Sequence, residues 1–354
     1  MTEWRLRVVT FNVAMRIAHV ESVERLVCEE GRNEELLVIG LQEVSHGEQY
    51  GGTTHSWINA FVSAVKDKTE YSLIGKTYQA TNLILIFAHI RILCHIGRVH
   101  YRYARNTLGG LTGHKGSIGT LITLSNKRSL VLTLSHFVHD ATQLEARVSQ
   151  YKGNRSCSFP DFPNIEASFW FGDLNFRVEG EANDIIEKLS EENGLKTVLL
   201  RDQLDMVKTA GRAFTEYEES PITFPPSYRV FVGTSLYDPN RTPSWCDRIL
   251  YKGREVTCVS YSRHENVVCS DHLASKGAYT DWIGVFPSRV HDLTTPLRWV
   301  LAMTCYDDSS SPTLTVAEFS PLPAGDYRVG YHSVHYNCIL GLSPPFTIVD
   351  PDET

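Results

Sequence analysis

The chain reads as two packed β-sheets with helices outside them, followed by a small all-β module. Three observations predict this. Strand signals are frequent along the first three quarters of the chain. Helical patterns fall singly between groups of strands rather than in strict βαβα alternation, which favours sheet-on-sheet packing over a doubly wound parallel sheet. Near Ser275 the pattern changes to short strand signals separated by Pro, Gly and Ser, with no long helix pattern after it.

Apolar runs place strands at Leu6–Val13, Leu36–Leu41, Leu83–Leu93, Ile118–Leu124, Leu130–His136, Phe169–Phe171 (within an apolar stretch from Ala167), Arg248–Tyr251 and Val256–Tyr261. In His55–Val65, the residues Trp57, Phe61, Ala64 and Val65 share one face at helical spacing. Ala182–Leu189 and Leu195–Val207 behave alike, and Cys305–Thr313 is polar and loop-like. The boundary falls between residues 1–275 and 276–354. Strands are expected after it at Trp282–Phe286, Leu297–Met303, Thr313–Val316, Tyr327–Tyr331 and Phe346–Val349, a module of ordinary domain size.

Composition narrows the partners. The 354 residues are 42% hydrophobic and 21% charged, ordinary for a globular protein. The net charge of −7 gives no global field toward nucleic acid or anionic membrane, so any grip on a polyanion must be local. Eight cysteines lack regular spacing; Cys28, Cys94 and Cys258 fall in expected helices or strands, which favours reduced core thiols over a disulfide framework. The longest apolar run, Leu83 to Ile96, is broken by His89, Arg91 and His95. The chain is expected to be cytoplasmic, with no secretory leader.

The strand ends carry the chemistry. Asn12 follows the first strand and Glu43 the second; His136 ends a third, with His139 just behind. Trp170-Phe-Gly-Asp-Leu-Asn-Phe-Arg delivers Asp173 and Asn175, Trp245-Cys-Asp delivers Asp247, and Ser270-Asp-His supplies Asp271 and His272. Singly, each has a plainer reading: Glu43 as a solvated strand end, Asn12 as a turn former, Asp247 as half of a surface pair with Arg248. Polar residues at the ends of several apolar strands are, however, well placed to meet in one pocket. The set suits metal-assisted hydrolysis of a phosphate ester. Glu43 and Asn12 would bind Mg²⁺, Asp173 would orient and deprotonate a water, and Asn175, His136 and His272 would neutralise phosphoryl charge. Asp247 and Asp271 would orient His272. No Ser or Cys nucleophile with an adjacent base stands out, so direct water attack is expected.

These residues lie in motifs that resemble a known family. Thr10-Phe-Asn-Val, Leu41-Gln-Glu-Val, Gly113-His-Lys-Gly, Ser135-His, Trp170-Phe-Gly-Asp-Leu-Asn-Phe-Arg, Phe224-Pro-Pro-Ser-Tyr, Pro243-Ser-Trp-Cys-Asp-Arg-Ile-Leu and Ser270-Asp-His occur in order. They resemble the inositol polyphosphate 5-phosphatases of the endonuclease/exonuclease/phosphatase superfamily, over roughly residues 4–274. The resemblance implies a four-layer α/β sandwich of the deoxyribonuclease-I-like kind, Mg²⁺ dependence, and removal of the 5-phosphate from phosphoinositide lipids or soluble inositol phosphates. It implies that Lys115, Tyr228, Arg229 and Arg241 line the substrate pocket, the last three against a neighbouring 4-phosphate; His139 and Arg177 are placed on the substrate side as well. The tail, through Asp281-Trp-Ile-Gly-Val-Phe, Asp326-Tyr-Arg-Val-Gly-Tyr and Ile339-Leu-Gly-Leu-Ser-Pro-Pro-Phe, resembles the SKICH module, an immunoglobulin-like β-sandwich for localisation and partner binding. Together they resemble the subgroup of the skeletal-muscle- and kidney-enriched phosphatase, with peripheral recruitment to endoplasmic reticulum or plasma membrane.

Departures carry expectations of their own. His114 stands where the family usually has Asn, and the loop before Pro243 is short and keeps Arg241 without lysines. Only nine residues separate His272 from Trp282, where the family continues into a closing strand and a connector. An unpaired sheet edge, a poorly anchored His272 and reduced stability are expected from this. Two other readings stand beside the phosphatase: a nuclease or sphingomyelinase of the same superfamily, against which the acidic charge and the Phe-Pro-Pro-Ser-Tyr segment argue, and a catalytically impaired adaptor acting through the β-module.

Overall fold

The computed structural model describes residues 4–18, 20–27, 34–45, 56–68, 70–107, 112–254, 256–265, 267–279, 282–287, 298–301, 323–333 and 338–348. The chain divides into two compact units: Leu6–Arg254 with Tyr261–Gly277, and a second unit built mainly from Ala278–Thr354.

The first unit holds two sheets. One runs β10-β11-β1-β2-β4-β3, from Ser260–Arg263 (β10), Ser275–Tyr279 (β11), Leu6–Asn12 (β1), Leu36–Gln42 (β2), Asn82–His89 (β4) and Tyr71–Gln79 (β3). The other runs β5-β6-β7-β8-β9, from Ile96–Thr107, Thr112–Leu124, Ser129–His136, Ile165–Asp173 and Asp247–Lys252. Each has one parallel pair, β1 with β2 and β7 with β8. β1, β2, β4 and β7 are buried along their whole length, which is why they read as continuous apolar runs.

Period-two alternation sorts the side chains into layers. Val9, Phe11, Ile39, Leu41, Leu83, Leu85 and Phe87 pack against helices α1 (Val20–Val27) and α2 (Trp57–Lys68). Trp170 and Leu250 pack against α3 (Leu144–Asn154) and α6 (Gln203–Thr209) through Val148, Tyr151, Leu204, Val207 and Phe214. The remaining faces meet each other, and Gly40 of β2 lies in that contact. A Cβ there would stand 2.5 Å from Leu134 of β7 and 2.6 Å from Phe171 of β8. Helix, sheet, sheet, helix makes four layers.

Several expectations shift. The strand expected through Leu93 ends at His89, whose ring accepts from the Arg91 amide to open a 3-10 turn over Ile90–His95. β3 and β5 went unmarked because edge strands carry polar residues on both faces; α1 and α3 also went unmarked. The helix expected over Leu195–Val207 is two, α5 (Gly194–Leu199) and α6. Asp202 breaks it, capping α6 through the Asp205 amide while its carboxylate binds buried Arg248. α4 spans Ala182–Leu189 as expected. Cys157, Cys246 and Cys258 are buried free thiols, whereas Cys94 is exposed; Cys28 lies outside the described residues.

The expected open edge is filled. β11, the chain just after His272, lies between β10 and β1. Three residues beyond the histidine suffice to start this strand, so β1 is paired on both sides. In the second unit, β12 (Trp282–Pro287), β13 (Arg298–Leu301), β14 (Gly325–Ser333), β15 (Cys338–Leu342) and β16 (Phe346–Ile348) form one antiparallel sheet among the described residues. The strand expected at Thr313–Val316 and the loop Cys305–Thr313 lie outside the described residues.

Candidate active site

Both sheets deliver their chemistry to one edge. The parallel pair β1/β2 ends in register at Asn12 and Gln42, with Glu43 next; the pair β7/β8 ends at His136 and Asp173, and antiparallel β9 begins at Asp247 opposite Asp173. Asn12 Nδ2 donates to Asp173 Oδ2 at 2.9 Å, joining the sheets across the site.

Asp173 is buried at the centre. Its Oδ2 lies 3.3 Å from His136 Nε2 and 4.0 Å from His272 Nε2, and its Oδ1 accepts from the Asn175 amide at 3.1 Å. Burial would raise this carboxyl, but the His136 bond and the positive charge of His272 and Lys115 outweigh it and hold the group well below the carboxylate range.

His272 Nδ1 bonds Asp247 Oδ2 at 2.9 Å, and Ser227 Oγ donates to the same oxygen at 2.8 Å. Burial works against an imidazolium here, yet Asp247 and Asp173 facing it push its pKa up to about 9. Burial pushes the Asp247 carboxyl up, with His272 pulling it back. Two carboxylates, Asp247 and Asp173, thus face the His272 ring and favour its charged form. Far from being loose, this histidine is fixed by a bridge to Tyr228, by Ser270 Oγ accepting its amide, and by Leu273 N donating to Ser227 O. Ser270 Oγ in turn donates to Asn12 O at 2.6 Å.

The first sheet contributes an open flank. Glu43 sits at φ 55° with its side chain 35% exposed, and its Oε1 lies 3.8 Å from both Lys115 Nζ and His136 Nε2. Lys115 Nζ hydrogen-bonds His136 Nε2 directly. Burial, then Lys115, push the His136 pKa down; burial does the same to Lys115, against the pull of Asp173 and Glu43. The imidazolium form of His136 is therefore disfavoured, and its Nε2 stands between Lys115 Nζ and Asp173 Oδ2.

The structure revises three expected roles and removes one plainer reading. Asn175 does not present its amide to the pocket: Nδ2 donates to Phe137 O at 3.0 Å and Oδ1 accepts from Arg177 at 2.6 Å, because the residue turns at φ 55°. Arg177 is a buried brace, bonded also to His139 O and stacked 4.5 Å over the Tyr228 ring. Asp271 does not reach the His272 ring; it pairs with Arg229 Nε at 3.1 Å, and its charge adds to the field on His272. Asp247 is no surface partner of Arg248, which is buried and bonds Asp202 and Glu219 instead. His139 is exposed and meets the site through its carbonyl, while Tyr228 stacks on His272 with centroids 4.5 Å apart. Arg241 is exposed beside Asp238. The hydroxyls of Ser227 and Ser270 had no assigned role, although both stand in motifs marked out by sequence.

Asp173, Asp247 and His272 each bring a ligand atom within 4.8 Å of the others. Two of the three already satisfy each other. The oxygens with capacity left are the Glu43 carboxylate, the second lone pair of Asn12 Oδ1, which accepts from Ala14 N, and Asp247 Oδ1, buried without a partner among the described residues. Such an oxygen set fits a hard divalent cation.

A four-layer sandwich with this polar set at one edge is a phosphoesterase-type architecture, and the comparisons agree. Residues 9–274 match the family described as Endonuclease/Exonuclease/phosphatase family 2, and the chain belongs to it. The mouse type II inositol 1,4,5-trisphosphate 5-phosphatase is 25% identical over 74% of this chain and 28% of its own length. The mouse phosphatidylinositol 4,5-bisphosphate 5-phosphatase A is 25% identical over 98% of this chain and 42% of itself. The yeast polyphosphatidylinositol phosphatase INP53 is 30% identical over 69% of this chain and 23% of itself. The chain thus spans less than half the length of these relatives.

Among solved structures, the inositol polyphosphate 5-phosphatase domain of SPsynaptojanin, in complex with inositol (1,4)-bisphosphate and calcium, superposes with TM-score 0.67 at 24% identity, over 78% of this chain and 83% of that one. Cimex nitrophorin, as a ferrous NO complex, gives TM-score 0.66 at 22% identity over 79% and 98%. Two such different ligands on one fold mean that the side chains at the edge must decide function.

Proposed function

We propose that this chain removes the 5-phosphate from phosphoinositides, phosphatidylinositol 4,5-bisphosphate and 3,4,5-trisphosphate foremost and soluble inositol phosphates besides, by direct attack of water with Mg²⁺ as cofactor. The observation that carries this is the convergence of Asn12, His136, His272 and Asp247 on or beside one ionised, buried Asp173. Relatives that are 5-phosphatases of inositol phosphates and of phosphoinositides support the substrate class.

Glu43 and Asn12 would hold Mg²⁺, which when bound supplies charge neutralisation at the phosphoryl oxygens. Asp173 accepts a hydrogen bond from the attacking water and aims it. A carboxylate held so far below its ordinary range is a weak base, so orientation is the larger part of its work. His272, cationic at neutral pH, places a positive Nε2 beside the same oxygen, and Asp247 keeps it charged and aimed. The contact with His136 Nε2 holds the Lys115 side chain beside Asp173, and Arg229 offers a second cation. The C-terminal unit is read as a localisation and partner-binding module of SKICH type; similarity to the mouse 5-phosphatase A over 98% of the chain supports it.

The test is phosphate release with and without Mg²⁺, from both lipids and from soluble inositol 1,4,5-trisphosphate in parallel, with Asp173→Ala as the blank. Release that needs the metal and vanishes in the variant is expected. No release from folded protein would sink this reading and favour the adaptor.

A further inference from the structure

Away from the catalytic edge, the helix-covered side of the second sheet carries a cavity of about 360 Å³. Nine residues line it, and four of them are cations. Lys152 comes from the last turn of α3, Arg155 from the 3-10 turn that follows, Arg212 from the turn after α6, and Lys252 from the last position of β9. The whole chain has 34 such residues in 354 and a net charge of −7, so this is a local concentration. β9 begins at Asp247 in the site and reaches Lys252 five residues later, about 17 Å along the strand.

One wall of the cavity belongs to the core. Tyr151 is 4% exposed, with its ring 4.0 Å from Phe214 and 5.1 Å from Trp170, and its hydroxyl donates to Glu216 Oε2 at 2.7 Å. Glu216 Oε1 lies 3.3 Å from Arg155. Burial pushes this carboxyl up, but the Tyr151 bond and the charges of Arg155 and Lys252 bring it below its ordinary value. Arg212 Nη2 bonds both oxygens of Glu145, at 2.5 and 2.6 Å. Two carboxylates are thus set against four cations, and Lys152 and Lys252 have no ion pair among the described residues.

Exposed lysines are ordinarily solvated and need no partner. These two share one cavity with two guanidinium groups, where mutual repulsion is only half offset. We propose that the cavity is a second anion site, taking a small ligand that bears two phosphate groups, whether free or as a lipid headgroup. Its volume falls within the range of small-molecule sites, about 300–1,000 Å³. Guanidinium and ammonium donors suit phosphate, which presents several charged oxygens per group. A ligand must also bring enough negative charge to outweigh Glu216, which a lone carboxylate does not. None of the catalytic residues lines the cavity, so the proposal stands apart from the hydrolysis reading.

The test titrates the full chain calorimetrically with inorganic pyrophosphate and with sulfate, and floats it with phosphatidylcholine vesicles containing phosphatidylinositol 4-phosphate. The combined variant Lys152→Gln, Lys252→Gln alters two exposed side chains, so its melting temperature without ligand should match the parent's. It is expected to bind pyrophosphate at least about tenfold more weakly. Pyrophosphate should raise the melting temperature of the parent and not of this variant. Lys115→Gln, at the catalytic edge, should leave that binding in place. Pyrophosphate binding lost in the double variant with flotation kept names the free ligand; loss of both admits the lipid headgroup. Equal pyrophosphate binding by parent and double variant overturns the proposal. So does loss in Lys115→Gln alone, which would put the anion at the catalytic edge, and so does sulfate bound as tightly as pyrophosphate.

Discussion

The two sheets meet at one edge but bring opposite electrostatics to it. The second sheet contributes a dry, buried set: Asp173, His136 and Asp247, closed by His272. The first contributes a wet one, in which Glu43 is a third exposed and 3.8 Å from both Lys115 Nζ and His136 Nε2. On the proposed reading, the difference separates two jobs. Fixed charges that orient a water gain from low dielectric, where each interaction is stronger and needs no reorganisation. A carboxylate that must exchange a hydrated cation and admit substrate gains from an open face.

The largest break should come from the dry side. Asp173→Ala is expected to lower phosphate release by about 10³-fold, within the range for a positioned acid–base group, with little change in the lipid concentration for half-maximal rate. Next, Asp247→Asn strips His272 of its counter-charge, and breaking such a buried pair costs about 3–5 kcal/mol in a denaturant melt. The pair also sets a pH signature. The folded pKa of His272 is raised to about 9 from about 6.5. Its contribution is therefore complete below about pH 6.5 and is lost as pH rises through about 9. The parent's melting temperature should fall across that window, and the slope should flatten in Asp247→Asn; parallel slopes would remove the ion pair from the account.

Gly40→Ala probes the contact between the sheets rather than either set of charges. Its Cβ would meet Leu134 and Phe171 inside 2.7 Å, so overpacking should cost about 1–3 kcal/mol by urea melt. An unaffected midpoint would show that the sheets can part slightly without loss. Smallest in stability is Glu43→Gln on the wet side. The fold should be unchanged, while the Mg²⁺ concentration for half-maximal activity rises about tenfold or more. An unaltered metal requirement would move the metal to Asp247 Oδ1.

Much of the site was legible before any fold existed. Asn12, Glu43, His136 and Asp173 end or follow strands, Asp247 opens β9 and His272 precedes β11, and all six stand at the common edge. Less legible was direction. Asn175 lies two residues from Asp173, yet its turn sends the amide to Phe137 O. Asp271 adjoins His272, yet Arg229 captures it. Adjacency in sequence fixes where a side chain starts, and the neighbours that arrive from other strands decide where it points.

The sequence by itself determined which residues the edge would hold and that the central strands would be buried, because apolar runs and terminal polar residues are local properties. Only the tertiary structure decided that residues after His272 close the first sheet as β11, that Asp247 and Asp173 raise the pKa of His272, and that Phe231, Val232 and Leu236 are exposed. Strand order, a pKa and an exposure each depend on what distant segments bring close, and no local pattern records them.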